Sequence, residues 1–257
     1  MTNHQKWIAF STIVRKEVVR FMRIWTQTLL PPAITMSLYF VVFGVLLGQR
    51  IKEIEGFPYI QFIVPGLVMM SVITNSFSNV ASSFFSSKFQ RSVEELLVSP
   101  VPDWLIVSAY VVGGALRGVM VGCVVLLVSL WFTKLTLTSL PLVMVFLLLT
   151  ALTFATAGFT NGMLARKFDD IAIVPTFVLT PLTYFGGVFY SIDLLPGFWS
   201  TISRANPILY MVNGLRYGFI GHSDIPVGTG IVILVIFQVV LFALNLHLMK
   251  KGHGLRT

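Results

Sequence analysis

The chain has 257 residues, of which 56% are hydrophobic and 11% charged, where an ordinary soluble domain is roughly a quarter charged. A mean hydropathy of +0.86 excludes a water-soluble enzyme of this size, a disordered chain and a disulfide-rich secreted module. The net charge of +8 then reports orientation in a membrane rather than nucleic-acid binding, and the single cysteine, Cys123, rules out an intrachain disulfide or a thiolate metal motif.

The first 24 residues are two-sided. Trp7, Phe10, Ile13 with Val14, Val18 and Phe21 recur at helical spacing, while Lys6, Arg15, Lys16, Arg20 and Arg23 supply a basic side. The pattern predicts an interfacial amphipathic helix over 1–24; a cytoplasmic extension of the first span is the alternative. A cleaved signal peptide is not expected, because the first apolar run starts late, contains Pro31 and Pro32 and lacks a small-residue cleavage pattern.

A spanning helix needs about 20 mainly apolar residues. Six segments meet that requirement, at 26–47, 60–85, 105–132, 141–164, 171–189 and 229–249. A weaker stretch at 198–217 is interrupted by Arg204, Asn206, Pro207, Asn213 and Arg216, and reads as interfacial or re-entrant. The expected fold class is all-α integral membrane. Basic residues divide twelve to five between alternate sides of these spans, Lys250, Lys251 and Arg256 of the tail at 250–257 counting with the majority and Arg204 and Arg216 with the minority. The even number of crossings then puts both termini in the cytoplasm.

Inside the spans, chemistry is sparse. All ten acids, from Glu17 to Asp224, fall in connections or at the surface on this reading, which argues against proton coupling and against carboxylate or metal catalysis in the membrane. His247 reads as a residue of the interface. The second span carries Ser71, Thr74, Asn75, Ser78, Asn79, Ser82 and Ser86 on one face, opposite Met69, Ile73, Phe77, Val80 and Phe84. Such a stripe lines a wet pathway or a subunit seam, or else pairs with another helix. The third span holds Arg117, which either anchors the transport machinery or snorkels to the interface. Its Gly114, Gly118 and Gly122, with Gly44/Gly48 and Gly158/Gly162 elsewhere, are close-packing signals. The fifth span contains Pro175 and Pro181, with Gly186 and Gly187 near its end, and is expected to kink.

No Gly-Lys-Ser/Thr phosphate loop occurs, so no nucleotide site is assigned to this chain and ATP-driven work would need another polypeptide. The connection at 88–98 mixes Lys88, Arg91, Glu94 and Glu95 with Phe89, Val93, Leu96 and Leu97 before Pro100 and Pro102. Taken alone it reads as an amphipathic surface helix.

Several motifs resemble the type-2 ABC exporter permeases, the membrane subunits of drug, polysaccharide and nodulation-factor exporters. They are Pro175-Thr-Phe-Val-Leu-Thr-Pro181, Gly186-Gly-Val-Phe-Tyr190, Leu195-Pro196, Asn206-Pro207-Ile-Leu-Tyr210, Gly214-Leu-Arg216-Tyr-Gly and Glu94-Glu-Leu-Leu-Val-Ser-Pro-Val-Pro102. The resemblance covers essentially the whole length. It implies one permease domain over 1–257, with spans one to five within 26–189, an extracytoplasmic re-entrant region at 190–228 and span six at 229–249. It implies a homodimer in a bacterial inner membrane with two ATPase subunits, which would hold ATP and Mg; this chain would bind no cofactor and no nucleic acid. The segment containing Phe89, Gln90, Arg91, Glu94, Glu95 and Leu96 would be the coupling helix on the ATPase. Ser71, Asn75, Asn79, Ser82, Thr180, Pro181 and Tyr184 would line the pathway or dimer seam, with Arg117 the one charge at depth. Exporter action on an amphipathic or lipid-like substrate is the expected function; a self-contained carrier or channel, or a non-transporting scaffold, are the rivals.

Overall fold

The computed structural model describes residues 1–252 and 254; Arg256, counted above in the tail, lies outside them. The chain is almost wholly helical. Helix α1 (Asn3–Arg23) opens with a reciprocal cap, Thr2 Oγ1 accepting from the Gln5 amide and Gln5 Oε1 from the Thr2 amide. After a bend at Ile24, α2 (Trp25–Tyr39) carries Pro31 and Pro32 in its first half and continues as a π-helical stretch, Phe40–Leu47. A two-residue hairpin follows, β1 (Glu53–Ile54) against antiparallel β2 (Phe57–Pro58), with Ile54 opposite Phe57. Its turn places Glu55 and Gly56 both at positive φ, the backbone that matches strand twist in two-residue hairpins.

Helix α3 (Tyr59–Phe89, 31 residues) is about 46 Å long at the usual rise. It is the axis of the molecule, its apolar window 72% buried against 11% for those of the first and last long helices. Helices α5 (Asp103–Ser129) and α6 (Leu140–Leu164) pack directly on it. Glycine permits that approach: a Cβ at Gly158 would collide with the Phe77 carbonyl, and one at Gly118 with the Ser76 side chain. The close-packing role read for these two glycine series is therefore what α5 and α6 use. Short α4 (Ser92–Val98) follows α3 after a left-handed residue, Arg91 at φ 60.

Next come α7 (Phe168–Val174), a π-helical stretch Pro175–Leu179 and α8 (Thr180–Tyr184). The prolines explain the break. Pro175 and Pro181 cannot donate, and Thr180 instead gives both its amide and its hydroxyl to the Pro175 carbonyl five residues back. The segment runs from one end of α3 to the other. Phe168 packs on Phe85 and Phe89, while the Phe189 carbonyl accepts from Tyr59 and Val188 lies against Gly66. A 3₁₀ turn (Ile192–Leu194), α9 (Gly197–Ala205), α10 (Pro207–Ile220) and α11 (Val227–Lys251) complete the chain. Ile192 N donates to Asp224 Oδ2, so the 190s and the 220s meet at one end while α9 and α10 lie between them. Helix α11 is stitched to α6 by Thr160 Oγ1 to Asn245 Oδ1 (2.7 Å) and Asn245 Nδ2 to the Thr156 carbonyl (2.9 Å).

Among the described residues, five helices are long and apolar enough to cross a membrane: Trp25–Leu47, Tyr59–Phe89, Asp103–Ser129, Leu140–Leu164 and Val227–Lys251. The span expected at 171–189 is the broken run just described. Two expectations about charge are corrected. Glu17 is fully buried rather than at the surface, because Ile13, Glu17 and Phe21 share the four-residue spacing that α1 turns inward, whereas Trp7 is 65% exposed. Arg216, counted among loop charges, is also fully buried.

Candidate functional site

An open groove of about 370 Å³ lies between α2, α3 and α5. Its polar lining includes Gln27, Thr35, Ser71, Thr74, Asn75 and Arg117, with Pro31, Pro32, Met36 and Met70 as apolar wall and Tyr39 also lining it. Two expected pathway residues, Ser71 and Asn75, thus share one cavity with Arg117. The Ser71 and Thr74 hydroxyls donate to the Leu67 and Met70 carbonyls of their own helix, and Asn75 Nδ2 donates to the Ser71 carbonyl. That local bonding lets a polar face exist on a buried helix without a neighbour for every group.

One turn along α3 the stripe changes character. Asn79 is fully buried, and its Oδ1 accepts from Arg117 Nη1 (3.1 Å) and from Arg20 Nη2 (2.7 Å). Arg20 also grips Glu17 Oε2 at 3.0 and 3.3 Å, and Glu17 Oε1 accepts from Ser83 Oγ at 2.7 Å. A continuous polar chain therefore ties α1 to α3 and α5. The stripe differs with height: Asn79 pairs helices, while Ser71, Thr74 and Asn75 line the groove. Ser82 is peripheral, its hydroxyl bonded to the Asn79 carbonyl. Tyr184 reaches the groove's edge through its hydroxyl, 3.2 Å from that of Tyr39, in a cluster with Phe43 and Phe189. Thr180 and Pro181 are exposed on α8 and do not line the groove.

At the C-terminal end of α3 a second surface forms. Phe89, Gln90, Arg91, Glu94 and Glu95 are exposed, Val93 is buried and Leu96 half-buried. Phe89 belongs to α3 rather than to the short helix, and the left-handed Arg91 separates the two. Phe168 adds its exposed ring at 5.1 Å from Phe89. Beneath this face Lys88 is buried and donates to the carbonyls of Met163, Ala165 and Gly254. A cation on the last carbonyls of α6 satisfies groups that the helix cannot. It also pins the chain beyond α11 to this end, where α1 lies too. In the first turn of α7, Asp170 accepts from the Arg166 and Lys167 amides at 2.8 and 3.0 Å, which holds its carboxyl below the usual carboxylate range.

Arg216 is the functional-scale feature that sequence reasoning misplaced. Its guanidinium donates to the Gly187 carbonyl (2.6 Å), the Phe62 carbonyl (3.4 Å) and Asn213 Oδ1 (3.5 Å), and stacks 3.8 Å from the Phe62 ring. Asn206 Nδ2 similarly takes the Leu182 carbonyl. These contacts join the glycine pair after α8, the Asn206-Pro207 turn and the Gly214-to-Gly218 segment into one body. The signal available beforehand was an arginine inside an apolar helix repeat.

Apolar helices of crossing length mark a membrane protein, and the comparisons fix its kind. A family model described as ABC-2 type transporter matches residues 8–220. The chain is 55% identical over 254 residues, 99% of each chain, to the inner membrane transport permease YadH of Escherichia coli strain K12. It is 24% identical over 250 residues to nodulation protein J of Rhizobium meliloti, covering 97% of this chain and 94% of that one. The chain belongs to the ABC-2 type transporter family.

Proposed function

We propose that this chain is the membrane-spanning permease subunit of an ATP-driven exporter in a bacterial inner membrane. It works as a homodimer with two copies of a separate ABC ATPase, and moves an amphipathic or lipid-like molecule outward by alternating access. The observation that carries the reading is the family match over most of the chain together with the near full-length relationship to a transport permease. The absence of a phosphate loop from the sequence supports an external ATPase.

Six crossings suit the geometry, because the broken run Phe168–Tyr184 passes between the ends of α3 and restores an even number. Both termini are then cytoplasmic, α1 lies in the membrane interface, and α9 with α10 forms the outer re-entrant pair. The exposed acidic and aromatic face of Phe89 to Glu95 suits docking on the ATPase, and the groove at Ser71 and Asn75 suits the pathway. Reversing both acids, Glu94→Lys with Glu95→Lys, tests the docking. Loss of ATPase co-purification with unchanged elution of the membrane chain is expected, and undiminished co-purification would remove α4 from the contact.

A further inference from the structure

We propose that the groove between α2, α3 and α5 binds the anionic head group of an amphiphile, a phosphate or carboxylate, through the Arg117 guanidinium. As a substrate class this rests on the permease reading; as a binding site it does not, and the test below separates the two.

Arg20 and Arg117 both converge on one neutral acceptor, Asn79 Oδ1. The acid beside them, Glu17, has one oxygen on Arg20 and the other on Ser83. One guanidinium charge is therefore left without a counter-ion among the described residues. A charge at membrane depth is costly unless paired, and Arg117 meets that need with a single hydrogen bond to an oxygen it shares. Its Nε is buried with no partner, and so is Asn79 Nδ2.

The residues around Arg117 fit an oxyanion attached to something apolar. Gln27 and Thr35 line the same groove and make no side-chain hydrogen bond among the described residues, so their donors are free for a second oxygen. A guanidinium presents paired donors to phosphate or carboxylate, which a point charge does not. Pro31, Pro32, Met36 and Met70 form an apolar wall beside the polar lining. A free inorganic anion would leave that wall unused; an amphiphile's chain would cover it.

The full-length chain, purified in dodecyl maltoside without any ATPase, is titrated by fluorescence anisotropy. The probes are labelled phosphatidic acid and labelled phosphatidylcholine of identical acyl chains. Phosphatidic acid is expected to bind at least about tenfold more tightly, the size of one charge-assisted hydrogen bond. Arg117→Gln abolishes that preference and Arg117→Lys keeps part of it. Equal binding of the two lipids, or unchanged preference in Arg117→Gln, overturns the proposal. Displacement by inorganic phosphate at concentrations equal to those of the lipid overturns the amphiphile in favour of a free anion. If Arg117→Gln does not fold, Thr35→Trp fills the groove from α2 without touching the arginine network. It must weaken phosphatidic acid binding about tenfold, and wild-type binding in that variant overturns the site. Binding without ATP-dependent transport would leave the site standing and remove only its role as a substrate site.

Discussion

Replacing Glu17 by alanine tests the polar chain that fastens α1 to the helix bundle. Glu17 is fully buried and holds two partners, Ser83 on α3 and Arg20 on its own helix. The Ser83 bond is charge-assisted and enclosed, and contributes about 1.5 kcal/mol. The Arg20 pair would contribute more if both ends were buried, but the Arg20 side chain is 33% exposed, so about 1 kcal/mol is the discounted figure. Removing the acid also leaves two guanidinium groups on one Asn79 oxygen, which offsets any relief from unburying a carboxylate. The sum is about 2–3 kcal/mol, or roughly 5–10 °C in melting temperature for a chain of this length. Thermal unfolding in detergent, followed by size-exclusion elution, measures it. A cycle with Arg20→Met separates the terms: the double variant should lose less than the two single losses added. A melting temperature unchanged in Glu17→Ala, or strictly additive losses, would refute the pairing.

Gly158→Ala should destabilise by about 1–3 kcal/mol by forcing α6 away from the Phe77 carbonyl, read as a lower melting temperature, whereas Gly228→Ala, in open space, should leave it unchanged. Asp170 caps α7 from a carboxyl held below its ordinary range. Its folded value lies below its unfolded one, so its contribution is complete above the ordinary carboxylate range and is lost as pH falls through the folded value. The protection of the Arg166 and Lys167 amides, measured as exchange relative to the intrinsic rate at each pH, should therefore fall on acidification, and in Asp170→Asn it should be low already at neutral pH with little further acid dependence.

The long helices were legible because lipid leaves the backbone little choice. A run of apolar residues such as 140–164 must be a helix, and its ends fall where polar residues resume. The glycine spacings were legible for a similar reason, since only small residues let helices approach without a hydrophobic drive between them. What the chain hid was direction. In α1 the buried edge takes Ile13 and Phe21 from the apolar face read in the sequence but also Glu17, whose two partners offset the cost of burying a carboxylate. Arg216 was hidden likewise: its acceptors are the Gly187 and Phe62 carbonyls, and backbone acceptors leave no mark in a sequence. At the fifth predicted span, Pro175 and Pro181 announced a break but not its form, the π-helical turn closed by Thr180. At the groove, residue types gave a polar stripe, and only the structure separates Asn79, which pairs helices, from Ser71 and Asn75, which line the groove.

The proposed movement of substrate with energy supplied by a separate ATPase has a direct test. Proteoliposomes holding the permease with its ATPase, loaded with labelled phosphatidic acid in one leaflet, measure this through leaflet exchange on addition of ATP. Exchange should need ATP and both proteins, and should be lost with Glu94→Lys and Glu95→Lys. Equal exchange by the chain alone, without nucleotide, would make it a self-contained carrier or channel and would rule out the ATPase-driven reading.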